Sequence, residues 1–129
     1  MMIPNYLRLP SAKYEDLAAC SVDARYAAIT NAVETDVDNT QDMDKYSMDA
    51  LEELVRTVDP DTASSALFGS TNWDEEEAGD GLSVNSPEKV SAIARALGDH
   101  SFETPNLNAL VEFYRDAADR GDAIAIMFN

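Results

Sequence analysis

The hexapeptide Ala123-Ile124-Ala125-Ile126-Met127-Phe128 is apolar at every position, and no other stretch constrains the fold as much. A strand with one wet face alternates apolar and polar residues, because successive side chains point to opposite sides of the sheet. A strand apolar on both faces must be covered on both, so residues 123–128 predict a central strand with layers above and below. Residues 3–9 supply a candidate neighbour. They read as a strand with Ile3, Asn5, Leu7 and Leu9 on one face and Tyr6 and Arg8 on the other, ended by Pro10.

Helical periodicity fills most of the chain between these strands. Ser11 is a plausible cap for a helix over 12–20, and a second helix over 23–34 carries Tyr26, Ile29, Ala32 and Val33 as its apolar stripe. Asp44 or Ser47 caps a third over 47–58, whose Met48, Leu51, Leu54, Val55 and Val58 recur at helical spacing until Pro60 closes it. A short helical turn follows over 62–69, stopped by Gly69, and then a brief strand at 82–84. Ser86-Pro87-Glu88 is the clearest helix start, a hydroxyl cap followed by proline at the first helical position. That helix spans 87–97, with Val90, Ile93, Ala94 and Leu97 inward and Gly98 behind them. The last helix, 107–120, is capped by Asn106 or Asn108 and ends at Gly121.

The pattern predicts an α/β domain, or its α+β variant, as a single unit over 1–129: a small central sheet holding the first and last strands, flanked by about five helices. Its core is expected from Leu7, Leu51, Leu54, Ile93, Leu97, Leu110, Tyr114, Ile124 and Ile126. A length of 129 residues and 45% hydrophobic content suffice for one such core without staples.

Charge restricts the partners. Aspartate and glutamate number 25 against 9 lysines and arginines, a formal charge of −16, which repels nucleic-acid phosphates and anionic membranes. The same field attracts a basic protein partner and would speed encounter with a cationic cleft, although solubility or salt adaptation calls for the same composition. One cysteine and one histidine do not assemble a metal cluster, so no metal or other cofactor is expected. Cys20, at the end of an alanine-rich helix, reads as a small buried residue. Residues 1–9 do not resemble a signal peptide, and no run approaches the roughly 20 apolar residues of a membrane helix, so a cytoplasmic location is expected.

Candidate sites are few. Asp36, Asp38, Thr40, Asp42 and Asp44 alternate as in a helix-loop-helix calcium site, in what reads as an exposed loop. However, Gln41 stands where the turn needs glycine and Ser47 where a bidentate glutamate should close the shell. Asp99-His100-Ser101 groups catalytic residue types, but triads draw their members from separate elements, and no nucleophile-elbow motif is present. Trp73 followed by Asp74, Glu75, Glu76 and Glu77 is the most suggestive cluster: either an aromatic anchor beside carboxylates that steer a basic partner, or a solvated acidic loop with Trp73 folded back onto the core.

Four patches carry a family resemblance: Ile3-Pro4-Asn5-Tyr6-Leu7-Arg8-Leu9; Asp42-Met43-Asp44-Lys45; Ser86-Pro87-Glu88-Lys89-Val90; and Phe113 to Ala123 running into the apolar strand. In their order the chain resembles the bacterial YfbM-like proteins, shortened between the last two helices, where only Gly98 to Asn106 remains. The resemblance implies an α/β fold with a central sheet and no known activity. Two function classes follow. One is a non-enzymatic, acidic protein-binding domain of inhibitor, immunity or anti-defence type that masks a basic surface. The alternative is a small enzyme or ligand-binding domain using His100 or the Asp42 and Asp44 carboxylates.

Overall fold

A computed structural model describes residues 3–73 and 81–128. Its strands are β1 (Pro4–Leu9), β2 (Thr40–Asp42), β3 (Thr71–Asn72), β4 (Leu82–Asn85) and β5 (Ala123–Phe128). Its helices are α1 (Ser11–Ala18), α2 (Val22–Thr35), α3 (Ser47–Thr57), α4 (Pro60–Phe68), α5 (Pro87–Leu97) and α6 (Leu107–Arg120). The strands form one sheet in the order β2-β1-β5-β4-β3, and every pairing is antiparallel. The α/β expectation therefore holds in its α+β form, with the apolar hexapeptide at the sheet's centre and the N-terminal strand beside it.

The alternation along β5 explains the layering. Ile124 and Ile126 face a cluster built from α3 to α6, with Leu54, Leu67, Ile93, Leu97, Leu110 and Tyr114. Ala123, Ala125 and Met127 face the other way, onto Leu17 of α1 and Ile29 of α2 together with Leu7, Leu9 and Val84. Larger side chains thus point at the thicker helical layer. In β1 the same alternation sends Tyr6 to one cluster and Leu7 and Leu9 to the other, as the sequence predicts.

Local chemistry sets several boundaries as expected. Ser86 accepts from the Lys89 N–H at 3.2 Å with Pro87 behind it, and Gly121 ends α6 in the left-handed region at φ 73°. Other boundaries need correction. Pro60 does not close a helix. It opens α4 as the first helical residue, with Asp59 capping through a 2.7 Å bond from the Thr62 N–H. Ser11, Ser47 and Asn106 make no capping bond with their side chains, and Asn108 instead clasps both backbone groups of Phe102 at 2.9 Å. Cys20 is exposed, not buried. Tyr26, Met48 and Val55 are also exposed, and Leu51 is only partly buried. These stripes are wider than the surface available to cover them.

The C-terminus of α4 is held in an unusual way. The last carbonyls of a helix lack intrahelical partners and must find others when buried. Here Asn85 Nδ2 donates to Ser65 O at 2.8 Å, Tyr114 Oη to Ala66 O at 2.6 Å, Tyr6 Oη to Leu67 O at 2.9 Å, and Ser83 Oγ to Phe68 O at 2.5 Å. Burial raises the Tyr6 hydroxyl well above its ordinary range, helped by Tyr114 and Asp42. It also raises Tyr114, against the hydrogen bond with Asn85. Both phenols therefore stay protonated and act as donors.

Candidate functional site

The acidic run is part of the fold, not a loose loop. Thr40–Asp42 is an edge strand paired with β1, in register Asn5 with Asp42 and Leu7 with Thr40, and single 3₁₀ turns flank it at Val37–Asn39 and Asp44–Tyr46. Both Asp36 carboxylate oxygens accept from Asn39 Nδ2, at 3.1 and 2.9 Å. Asp42 Oδ1 accepts from the Asp44 N–H at 2.9 Å, fixing a turn in which Asp44 has φ 50°. Asp36, Asp38, Asp42 and Asp44 all reach solvent. Among the described residues, no three His, Cys, Asp or Glu side chains gather in a way that would hold a metal ion.

His100 lies apart from this edge, in the connection between α5 and α6. Its Nδ1 is 2.7 Å from Leu97 O and so carries the hydrogen of that bond, capping the end of α5, while its ring tilts against Phe102 with centroids 6.1 Å apart. One ring nitrogen is committed to the backbone. Trp73 is 5% exposed, stacks on Tyr14 at 5.4 Å with 13° between planes, and lies under the Arg25 guanidinium at 5.4 Å. The indole is therefore packed inward and not presented as a loop anchor. Asp74, Glu75, Glu76 and Glu77 lie outside the described residues.

Three arginines, Arg8, Arg25 and Arg115, are drawn into the fold, whereas Arg56, Arg95 and Arg120 are exposed. Arg25 donates to Leu17 O, Trp73 O, Ala18 O and Cys20 O. The Arg8 side chain, 10% exposed, reaches Asp116 at 3.7 Å and Asp38 O at 2.7 Å and lies over the Phe113 ring. Arg115 joins Glu112 and Gly98 O. Outside the 36–44 run, Glu15, Asp16, Asp23, Glu34, Asp49 and Glu52 are exposed, whereas Asp122 is buried.

A cleft of about 670 Å³ opens beside this surface and is unmarked in the sequence. Its described lining comes from the turn entering α3 (Lys45, Ser47, Met48), from α4 (Ser64, Phe68) and from the ends of β3, β4 and β5. The Phe68 and Phe128 rings stack in it at 6.1 Å and 24°. Gly69, at φ 87°, forms one wall where a Cβ would collide with Ser83.

No family model matches the chain, and no curated protein matches it in sequence. Among solved structures it is similar to YfbM from Escherichia coli, a protein of unknown function, with a TM-score of 0.61 and 12% identity over 98% of this chain and 99% of that one. The YfbM-like fold expected from the sequence patches is therefore the fold observed, and at that identity the likeness concerns the fold alone.

Proposed function

We propose that the chain is a non-enzymatic, cytoplasmic protein-binding domain that uses exposed carboxylates to mask a basic partner surface, as an inhibitor or immunity protein does. The supporting observation is the row of exposed carboxylates at Asp36, Asp38, Asp42 and Asp44. Arg8, Arg25 and Arg115 are engaged by backbone carbonyls, by aromatic rings and by Asp116 and Glu112, whereas Asp36, Asp38, Asp42 and Asp44 face solvent, with Asp36 and Asp42 in turns that their own side chains stabilise. Carboxylates fixed in place meet a basic surface with less ordering cost than free ones, and the −16 field speeds the encounter. Among the described residues, no helix is long and apolar enough to cross a membrane, and the exposed unpaired Cys20 suits a reducing compartment.

The test is capture from the native host, with the chain as bait and mass spectrometry as readout. An unrelated protein of similar charge and an Asp36→Asn, Asp38→Asn, Asp42→Asn, Asp44→Asn variant serve as controls. The reading expects a basic protein enriched over the acidic control and lost from the variant. Equal capture by all three baits would refute it.

A further inference from the structure

The cleft beside α4 carries an inference independent of the protein-binding reading. Its volume of about 670 Å³ falls within the range of small-molecule pockets, which are mostly apolar with a few polar groups that fix orientation. The Phe68 and Phe128 rings stack on each other and are only partly buried. They stand at the ends of α4 and β5, where a compact core would have closed over them. The wall at Gly69 is kept bare by the backbone itself, since a Cβ there would meet the Ser83 side chain. Ser47 and Ser64 also line the cleft.

The charge of this lining is the second observation. In a chain with 25 acids and 9 basic residues, the described lining contains Lys45 and no carboxylate. Lys45 is exposed, makes no ion pair among the described residues, and its Nζ lies 5.7 Å from the Tyr46 ring. An ammonium beside an apolar floor, on a wall with no carboxylate among its described residues, complements a molecule that has an apolar body and one anionic end. We propose that this cleft binds a small organic acid, its ring or chain on Phe68 and Phe128 and its carboxylate at Lys45, with the serine hydroxyls as further donors.

Titration with naphthylacetate, followed by amide NMR of the full chain, tests the site, and naphthylacetamide serves as the uncharged counterpart. Saturable shifts are expected at 45–48, 69–72 and 81–83, with the carboxylate binding about tenfold more tightly than the amide. Lys45→Gln should erase that preference while leaving amide binding unchanged. Ser64→Trp, at an exposed helical position on the cleft wall, should block both probes without touching the core. Shifts centred elsewhere, no saturation by either probe, or a carboxylate preference that survives Lys45→Gln would each overturn the proposal.

Discussion

Gly69 and Gly121 both have positive φ, yet their surroundings differ. At Gly121, φ 73°, nothing lies within 4 Å of an added Cβ, so alanine there meets only the backbone penalty of the left-handed region, about 1 kcal/mol. At Gly69, φ 87° and ψ 154°, the conformation belongs almost to glycine alone, and the new methyl would sit 2.7 Å from Ser83 Cβ. Gly69→Ala should therefore cost about 2 to 4 kcal/mol, read as a urea midpoint shift well beyond that of Gly121→Ala. Glu53 shows a residue-scale effect of charge. Burial pushes its carboxyl upward, but the Glu103 N–H, the Thr104 hydroxyl and N–H, and Arg56 outweigh this and hold it below its ordinary value of 4.5. The folded state then binds fewer protons than the unfolded one between the two values. The clasp stabilises fully above pH 4.5 and fades as pH falls through the lowered value. Glu53→Gln should destabilise by about 1 kcal/mol at neutral pH, and denaturation curves of the two proteins should converge in acid.

Among the elements, α4 depends most on distant residues. Its terminal carbonyls are satisfied by Asn85, Tyr114, Tyr6 and Ser83, and Asn85 Oδ1 also accepts from the Ser70 N–H at 3.0 Å. Asn85→Leu would strand the Ser70 amide and leave the Ser65 carbonyl with the Gly69 N–H alone, costing about 1 to 3 kcal/mol. Tyr114→Phe should cost about 1 to 2 kcal/mol. Because Asn85 Nδ2 lies 3.0 Å from Tyr114 Oη, the two losses should not add in a double-mutant cycle. This cluster also shows why the sequence was legible only in part. The start at Ser86-Pro87 and the stop at Gly121 are local chemistry, and β5 declares itself by having no polar residue. Asn85 and Tyr6 act on carbonyls 20 and 61 positions away, a distance no periodicity records. Thr40–Asp42 has no apolar alternation to mark it as a strand. It pairs only because β1 offers an open edge. The sequence leaves Trp73 open between a loop anchor and a residue folded back onto the core, because the contacts that hold it inward come from Tyr14 and Arg25, far back in the chain. The cleft is assembled from short pieces of α3, α4, β3, β4 and β5, and none carries a signature alone.

For the whole molecule, a charge of −16 on 129 residues opposes compaction, because like charges repel across the surface. Glu34, Asp38, Asp44 and Asp49 are exposed within a short span of chain. Asp44 sits at φ 50°, a conformation that asparagine tolerates as well as aspartate does. Changing Glu34 to Gln and the three aspartates to Asn removes charge with little change of shape. If repulsion is felt along this edge, the variant should be the more stable protein at about 10 mM salt, where the screening length is near 30 Å, and the gain should shrink toward 1 M, where it is near 3 Å. The same substitutions should slow association with a basic partner and flatten its salt dependence, since exposed charges act mainly on the encounter rate. A surface that costs stability and returns binding speed behaves as an interface. Salt-resolved melting curves and association kinetics on one variant give both readings, and an unchanged association rate with raised low-salt stability would assign these carboxylates to solubility instead.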